Sequence, residues 1–534
     1  MIGKADIVIS IIYVACIVAL GLWAGRKGQS SKDYFLAGKT LRWPMIGLAL
    51  FATNISCLHL VSLAQSGFDT GLLSGNFEWM AAFTLILLAL FFVPFYIRSG
   101  VSTLPDFLER RYNRVCRDWL TFVSILSAII IHIAFSLLTG GIVLEALLGI
   151  DMYTSVTVIA VITAAYTILG GLRAVVVTES IQTVVLVAGA LVITAICWSK
   201  VGGWGAMKEV LTSRGELVRL SMLRGSSDAS GLPWYAVFLG YPVLGIWYWC
   251  ADQTIVQRIL GARDEDHARV GPLCCGFIKI LPVFIFIVPG LMAYVLAAKG
   301  QLDVSGLKST KGIYTLMITK LAPSGLAGII IAALLSGLMS QVSGALNSIS
   351  TLVSFDLYKR MRPAADERAL VRVGRISAGV ALGVSILLLP LLNRYESIFN
   401  GINDIIAHIA PPITAVFVLG VFWRGASALA AQYTLLFGSA LGAVVFVLNK
   451  FYPAGWMAGI PFMMMAFYLF VICCGMLTIL SLSYPDEDAS SREVLYWRSP
   501  LEPLRYKGWK GFGNYKFLSA LLLGVMVALY CIFR

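Results

Sequence analysis

Charged residues are scarce in this chain, and their scarcity excludes most classes of soluble protein. Asp, Glu, Lys and Arg make up only 13% of the 534 residues. A soluble globular protein carries about 25%. Hydrophobic residues reach 59%, and the mean hydropathy is +0.84. This composition, arranged in long apolar runs, predicts a protein that crosses the membrane many times.

The motifs of common soluble enzymes and metal sites are also missing. The sequence contains no GxSxG, HExxH or Walker A motif, so it predicts no enzyme and gives no sign of ATP as an energy source. The ten cysteines have no CxxC spacing and are interpreted as small buried hydrophobic residues. The net charge of +13 is spread over short loops, so no nucleic-acid partner is expected.

The apolar runs predict an all-α polytopic membrane protein with about 14 transmembrane helices. Lys and Arg concentrate in the loops 25–41, 98–118 and 356–370, whereas the short loops 66–76 and 150–152 carry none. Basic loops face the cytoplasm in most membrane proteins. We therefore expect a multi-pass protein of the cell membrane with both termini extracellular.

An internal symmetry divides the chain. Two blocks of five helices each begin with an interrupted helix, at "TNIS" (53–56) and at "GYPVLG" (240–245). Paired interruptions of this kind indicate a transporter binding site, and an odd helix number makes the repeats inverted. The alternative is that Gly and Pro are simply commoner in membrane helices. The predicted segments are 1–41, an extra helix and basic loop; 42–198, the first inverted repeat; 199–233, an extracellular loop; 234–422, the second inverted repeat; and 423–534, additional helices with the cytoplasmic loop 483–516.

Five ionisable residues lie at predicted membrane depth, namely Glu78, His132, Glu179, Asp252 and Lys279. A charge there costs roughly 2.5–3.5 kcal/mol, so it usually faces a wet cavity or a partner. We expect Glu78 and Lys279 to form part of a binding site, with a structural ion pair as the alternative. Asp252 and Glu179 lie nearer predicted helix ends, where interfacial solvation is the competing explanation. His132 is interpreted as a satisfied core residue.

A polar stripe runs along the predicted helix 333–350. Ser336, Ser340, Ser343 and Asn347 recur at helical spacing. One interpretation is close helix packing with interhelical hydrogen bonds. The other is a sodium site, in which hydroxyls of this helix act together with free carbonyls of an interrupted helix.

Several stretches resemble the sodium/solute symporter family, most closely its sodium/glucose cotransporter branch. They are "SSKDYFLAGKTLRWPMIGLALFATNIS", "GNFEWM", "YTILGGLRAVVVTESIQT", "LGIWYWCADQTIVQRILGAR", "CGFIKILPVFIFIVPG", "LNSISTLVSFDLYKR" and "APPITAVFVLGVFWR". The resemblance implies fourteen helices and a LeuT-type five-plus-five inverted repeat.

The resemblance also implies a substrate site. Its residues would be Asn54, His59, Glu78, Tyr248, Trp249, Lys279 and Asn403, with Tyr248 as the inner gate. Asn403 departs from the usual Gln of the branch, and Gly245 departs from a polar residue. Both changes favour a polyol-like substrate over glucose itself.

A sodium site is implied beside the substrate. The carbonyls of Ala52, Ile55 and Gly337 and the hydroxyl of Ser340 would bind the ion, with Glu179 on its exit path. Gln341 takes the position of a second hydroxyl. Its carbonyl oxygen would be a sodium ligand, or its NH₂ group would instead occupy the ion position.

The resemblance implies a sodium-driven symporter of a sugar or polyol that works by alternating access. Sodium is the expected coupling ion, and no cofactor is expected. A sodium-independent or proton-coupled carrier of the same fold is one alternative. A membrane sugar sensor or channel without net transport is another.

Overall fold

The computed structural model describes residues 3–26, 30–226, 228, 231–307, 309–393, 398–452, 455, 457, 459–486, 495–499 and 501–534, and it describes no side chains for 398–401. Within these ranges the regular secondary structure is helical and no strand forms. The all-α polytopic prediction is therefore confirmed.

Twenty-three α-helices occur in the described residues. They are α1 Lys4–Gly25, α2 Ser31–Leu36, α3 Trp43–Asn54, α4 Cys57–Thr70, α5 Gly75–Leu87, α6 Val93–Arg98, α7 Leu104–Arg111, α8 Arg114–Ser127, α9 Phe135–Leu148, α10 Met152–Val201, α11 Gly203–Ser213, α12 Trp234–Ile246, α13 Gln253–Leu260, α14 Glu265–Ile278, α15 Val288–Ala298, α16 Ile313–Leu321, α17 Leu326–Leu352, α18 Lys359–Met361, α19 Glu367–Leu392, α20 Ile398–Phe422, α21 Ala428–Phe451, α22 Phe462–Ser483 and α23 Tyr515–Ile532. Wide π-helical turns join α5 to α6 and α8 to α9.

Eleven helical stretches of the described chain are long and apolar enough to cross a membrane. The longest, α10, has 50 residues. It would extend about 75 Å if straight, more than twice the bilayer core of about 30 Å. Gly171 splits it, because its φ of 62° and ψ of −163° lie outside the helical region. The number of fourteen spans stays a prediction.

The first predicted interruption is confirmed. Helix α3 ends at Asn54 and α4 begins at Cys57. Ile55 (φ −82°, ψ 106°) and Ser56 (φ −101°, ψ 175°) between them are extended. Extended backbone at this depth leaves carbonyl groups outside any helical ladder, which membrane proteins tolerate only in buried or wet sites.

The second predicted interruption is wrong in its position. Helix α12 continues through Pro242 and the rest of the 240–245 stretch, and a π-helical turn extends it to Ala251. The break lies at Asp252 (φ −86°, ψ 122°), whose Oδ1 accepts the Thr254 amide at 2.6 Å and so caps α13. Proline removes only one helical donor, a loss that membrane helices tolerate. An Asp side chain, by contrast, starts a new helix.

The most buried span is α17. In the stretch from Leu326 to Met361, 89% of the most apolar 18-residue segment is buried. The corresponding share in α1 is 17%. Small residues let neighbours approach it closely. A Cβ added at Gly337 would lie 3.0 Å from the Cys57 amide nitrogen, directly beside the first break. This approach brings the polar stripe of α17 to the unwound backbone.

The two ends of the described chain lie on one face of the molecule. The contacts that establish this are Asp6 with the Gly325 amide, Thr310 with Asp69, the Arg219 guanidinium with the Asp69 carbonyl, and the Met222 amide with the Phe533 carbonyl. The loops 66–76 and 199–233 share this face with both ends, and the orientation of this face stays a prediction.

The basic loops gather on the opposite face. Arg117 of one basic loop donates to the Asp356 carboxylate of another at 2.7 Å, and Arg360 pairs with Asp118. Part of the 483–516 segment lies there too, since Tyr506 donates to Asp266 at 3.2 Å, close to the Arg98–Glu265 pair. Basic loops on one face are what the positive-inside rule requires of a membrane protein.

Candidate functional site

A cavity lies beside the first break. It contains about 950 Å³ of space, including the open solvent at its mouth. All seven predicted substrate residues line it, together with Gln341; the seven are Asn54, His59, Glu78, Tyr248, Trp249, Lys279 and Asn403. The side chains come from both predicted repeats, which the fold brings together around the two breaks.

The floor of the cavity is a chain of polar contacts. Lys279 pairs with Glu78, and both side chains are about 2% exposed or less. The Lys279 ammonium also donates to the Asn54 side-chain oxygen at 2.6 Å. The Asn54 amide then donates to the Tyr248 hydroxyl at 3.2 Å. The two alternatives for Glu78 and Lys279 are therefore compatible, because one ion pair is buried and also lines the cavity.

This ion pair makes the site electrically balanced. A buried pair must satisfy its remaining donors and acceptors to offset the loss of hydration. Hydroxyl groups suit that need, because each one can donate to a carboxylate and accept from an ammonium. The arrangement fits a neutral polyhydroxyl molecule.

His59 has a structural contact and a free donor. Its Nδ1 accepts the Ser56 backbone N–H at 3.2 Å, which closes the first turn of α4 at the break. The other ring nitrogen, Nε2, then carries the proton in the neutral ring. Because His59 lines the cavity, the predicted hydrogen bond to the substrate would come from Nε2.

Aromatic rings form one wall. Tyr248 contacts Trp249 with ring centroids 5.2 Å apart and His132 at 5.9 Å. Lys279 lies over the Trp249 ring, 5.7 Å from its centroid. These contacts hold the Tyr248 ring against the polar floor. Its hydroxyl is the last member of the series of polar contacts that begins at Glu78.

The predicted sodium residues meet where α17 passes the break. The Ser340 hydroxyl donates to the Ala52 carbonyl at 2.8 Å and contacts the Gly337 carbonyl at 3.2 Å. Ile55 is the extended residue of the break itself. Hydroxyl and backbone carbonyl oxygens are suitable ligands for a hard cation.

The Gln341 amide nitrogen bonds His132 and none of these carbonyls. Its Nε2 lies 2.7 Å from Nδ1 of His132. The NH₂ group therefore does not occupy the ion position in this conformation. The Gln341 Oε1 is buried and makes no hydrogen bond with any described residue.

Glu179 and Asp252 are more deeply placed than expected. Interfacial solvation, the competing explanation for both residues, does not fit their burial, since Glu179 is fully buried and Asp252 is 6% exposed. Glu179 lies outside the cavity and pairs with Arg258 of α13, whose Nη2 is 2.6 Å away, and it accepts the Thr53 hydroxyl. Its neighbours belong to both interrupted helices.

The polar stripe of α17 has mixed partners. Ser336 bonds the Tyr13 hydroxyl at 2.6 Å, which is the packing interpretation, whereas Ser340 meets the break. The Asn347 amide has no described hydrogen-bond partner. Ser336 therefore follows the packing interpretation, and the sodium interpretation of Ser340 stays a prediction.

Some cavity residues escaped the sequence reasoning. His132 is satisfied at both ring nitrogens, as expected, but it also lines the cavity. Tyr241 lines it too, donating to the Phe77 carbonyl at 2.9 Å. A Cβ at Gly245 would lie 2.7 Å from the Tyr241 ring. The glycine at 245, where the branch has a polar residue, was therefore the sequence signal that could have identified Tyr241.

A model of the Sodium:solute symporter family matches residues 34–438 of the chain. Sodium/glucose cotransporter 1 of Ovis aries is 32% identical over 527 residues, covering 90% of this chain and 79% of that protein. A sodium/mannose cotransporter of Bos taurus is 33% identical over 481 residues, covering 84% and 80% respectively.

Among solved structures, a Na⁺-coupled sialic acid symporter in a substrate-bound outward-open state has the same fold. Its TM-score is 0.80 at 22% identity, covering 91% of this chain and 99% of that one. This likeness concerns the fold of the whole helical assembly.

Proposed function

The chain belongs to the sodium:solute symporter family, and we propose that it is a sodium-driven symporter of a neutral sugar or polyol. The relatives named as sodium/glucose and sodium/mannose cotransporters support the sugar class. The observation that carries the proposal is the buried Glu78–Lys279 pair, which lines the cavity beside the first helix break.

The residues have distinct roles in the proposed transport cycle. Glu78, Lys279 and Asn54 bind substrate hydroxyls, His59 donates from Nε2, and Asn403 lines the same cavity. These groups recognise hydroxyls without adding net charge. A neutral substrate therefore completes the site at less cost in desolvation than an ionic one.

Sodium binding is proposed to set the geometry of that site. The ion would bind the Ala52, Ile55 and Gly337 carbonyls and the Ser340 hydroxyl, with the Gln341 carbonyl oxygen as a further ligand. Asn54 lies between Ala52 and Ile55, so ordering the break for the ion also orders a substrate residue. This shared backbone is the physical basis of coupling.

The proposed coupling supplies enough free energy for accumulation. A tenfold sodium gradient contributes about 1.4 kcal/mol, and a potential of about 100 mV adds about 2.3 kcal/mol per charge. One sodium ion per cycle supports roughly 500-fold accumulation of a neutral substrate. Glu179 would act along the exit path of the ion, next to the Thr53 hydroxyl.

We propose that both termini are extracellular. The basic loops occupy the face opposite the two ends, and the positive-inside rule assigns that face to the cytoplasm. The protein would therefore take up its substrate from the face that carries both ends.

Uptake into proteoliposomes tests the function. The purified protein is reconstituted and offered a panel of labelled sugars and polyols, with an inward sodium gradient or an equal potassium gradient. Accumulation above equilibrium for at least one neutral polyol, only with sodium, is expected. Equilibration without sodium would indicate a sodium-independent carrier, and accumulation driven by a proton gradient would indicate proton coupling.

A further inference from the structure

Three buried side chains form a continuous chain of hydrogen bonds between the second break and α17. Asp252 lies at the break itself, and its Oδ2 is 3.0 Å from His132 Nε2. His132 Nδ1 is 2.7 Å from Gln341 Nε2. The three side chains come from three different parts of the fold, and none is more than 6% exposed.

The direction of these hydrogen bonds follows from chemistry. An amide nitrogen is only a donor, so Gln341 Nε2 donates and His132 Nδ1 must accept. The proton of the neutral ring then lies on Nε2, which donates to the Asp252 carboxylate. The carboxylate thus selects the tautomer of the ring, as it does in many functional sites.

The tautomer in turn selects the orientation of the Gln341 amide. With Nε2 held by His132, the carbonyl oxygen faces the other way, buried and without a described hydrogen-bond partner. A buried oxygen without a hydrogen bond carries a desolvation cost, which a cation ligand would offset. Gln341 follows Ser340, whose hydroxyl lies 2.8 Å from the Ala52 carbonyl of the first break.

We infer that Asp252 and His132 are positioning residues that hold the Gln341 amide so that its carbonyl oxygen, and not its NH₂ group, is presented to the transported cation. This inference rests on the proposed sodium coupling. It decides between the two roles predicted for Gln341, because an NH₂ group that occupied the ion position would require the reverse orientation of the amide. It also ties the cation site to the second break, at which the substrate wall of Tyr248 and Trp249 ends.

Asp252→Asn should reverse the direction of the Asp252–His132–Gln341 hydrogen bonds without removing the cap of α13. Asp252 caps α13 through Oδ1, so an Asn side chain can keep the cap with its own oxygen. Its NH₂ group would then face His132 Nε2 and donate to it. The ring proton moves to Nδ1, which donates to Gln341, and the amide must turn its oxygen inward toward His132.

The test is equilibrium binding of ²²Na⁺ to purified protein, arranged as a double-mutant cycle with Gln341→Ser. A hydroxyl has no orientation to be selected, so Gln341→Ser removes the residue through which Asp252 would act. We expect Asp252→Asn to weaken sodium binding about tenfold in the native background, and to have little effect when combined with Gln341→Ser. His132→Phe, in the same two backgrounds, is expected to behave alike.

Asp264→Asn is the matched control. Asp264 also caps a helix, accepting the His267 amide at 2.9 Å, and it also has a histidine beside it. It lies on the face of the basic loops, next to the Arg98–Glu265 pair. Sodium binding by Asp264→Asn should equal that of the unmutated protein.

The outcomes distinguish a failure of the positioning role from a failure of the proposed sodium coupling. Absence of ²²Na⁺ binding and of sodium-dependent uptake in the native protein would overturn both. Normal sodium binding with an Asp252→Asn effect of equal size in both backgrounds would overturn only the positioning role, since the residue would then act independently of Gln341. If Asp252→Asn does not fold, the His132→Phe pair decides in the same way.

Discussion

At the residue scale, the candidate site depends on polar groups that satisfy one another inside the membrane. Lys279 contacts both Glu78 and Asn54, and Asn54 contacts Tyr248. Each side chain therefore has a partner before any substrate enters, which lowers the cost of burial. Changing one member leaves its neighbour unsatisfied and alters the site as a unit.

Glu78→Gln tests the charged partner with little change in shape. Lys279 loses its counter-ion, and substrate hydroxyls lose a charged acceptor. We expect substrate binding to weaken by about 1.5–3 kcal/mol, measured by equilibrium binding of the sugar identified in the uptake panel. Glu216→Gln, which removes a carboxylate from a half-buried pair with Arg219 outside the cavity, is the control. Unchanged sugar affinity in a folded Glu78→Gln protein would remove Glu78 from the site.

Two substitutions of Tyr248 distinguish the role of its ring as a gate from the role of its hydroxyl in hydrogen bonding. Tyr248→Phe keeps the ring packed on Trp249 but loses the contact with Asn54. We expect the free energy of substrate binding to weaken by about 1 kcal/mol, and accumulation to fall only in part. Tyr248→Ala removes the whole ring and should abolish concentrative uptake. The measurement is the accumulation ratio in proteoliposomes with equal amounts of inserted protein. Full accumulation by Tyr248→Ala would mean that the residue is not a gate.

At the element scale, the close approach of α17 to the first break controls the cation site. The backbone at 55–56 is extended, and Gly337 allows α17 to pass directly beside it. Small residues serve this purpose widely in membrane helices, because they let backbones meet. Glu179 and Arg258 join the same region through a fully buried ion pair.

Gly337→Ala should push α17 away from the break. The new Cβ would lie 3.0 Å from backbone atoms of Ser56 and Cys57, so one of the two elements must move. We expect the sodium concentration for half-maximal uptake to rise several-fold, although alanine is the better helix former. Gly379→Ala in α19 is the matched control, because its Cβ would meet nothing within 4 Å. Equal sodium dependence of the two variants would contradict the proposed site.

At the scale of the whole molecule, basic residues are unevenly divided between two faces, and the loop 199–233 with its five Lys and Arg residues is the exception. The basic loops meet on one face through the Arg117–Asp356 and Arg360–Asp118 pairs. Both described ends of the chain lie on the other face, with the loops 66–76 and 199–233. The division predicts orientation as well as fold, since Lys and Arg in short loops are retained on the cytoplasmic side.

Epitopes joined to either end should be accessible to antibody on intact cells. An epitope inserted in the loop 363–365, on the basic face, should become accessible only after permeabilisation. The reason is the retention of positively charged loops in the cytoplasm. The measurement is antibody binding by flow cytometry, and the reverse pattern would invert the proposed direction of uptake.

Part of the candidate cavity was predictable from the sequence. Glu78 and Lys279 were identifiable because a charge at membrane depth is expensive and therefore rare. The first break was visible because "TNIS" interrupts an apolar run. The second break was not, because proline and glycine drew attention to 240–245, whereas Asp252 ends the helix by capping the next one.

The sequence alone determined the membrane class and singled out Glu78 and Lys279, because the cost of inserting a charge acts locally along the chain. Only the tertiary structure decided which groups face one another. Asp252, His132 and Gln341 are 120 and 209 residues apart in successive pairs, and nothing in their local sequence indicates contact. The orientation of the Gln341 amide depends on that contact, because hydrogen-bond direction is a property of assembled partners and not of one residue.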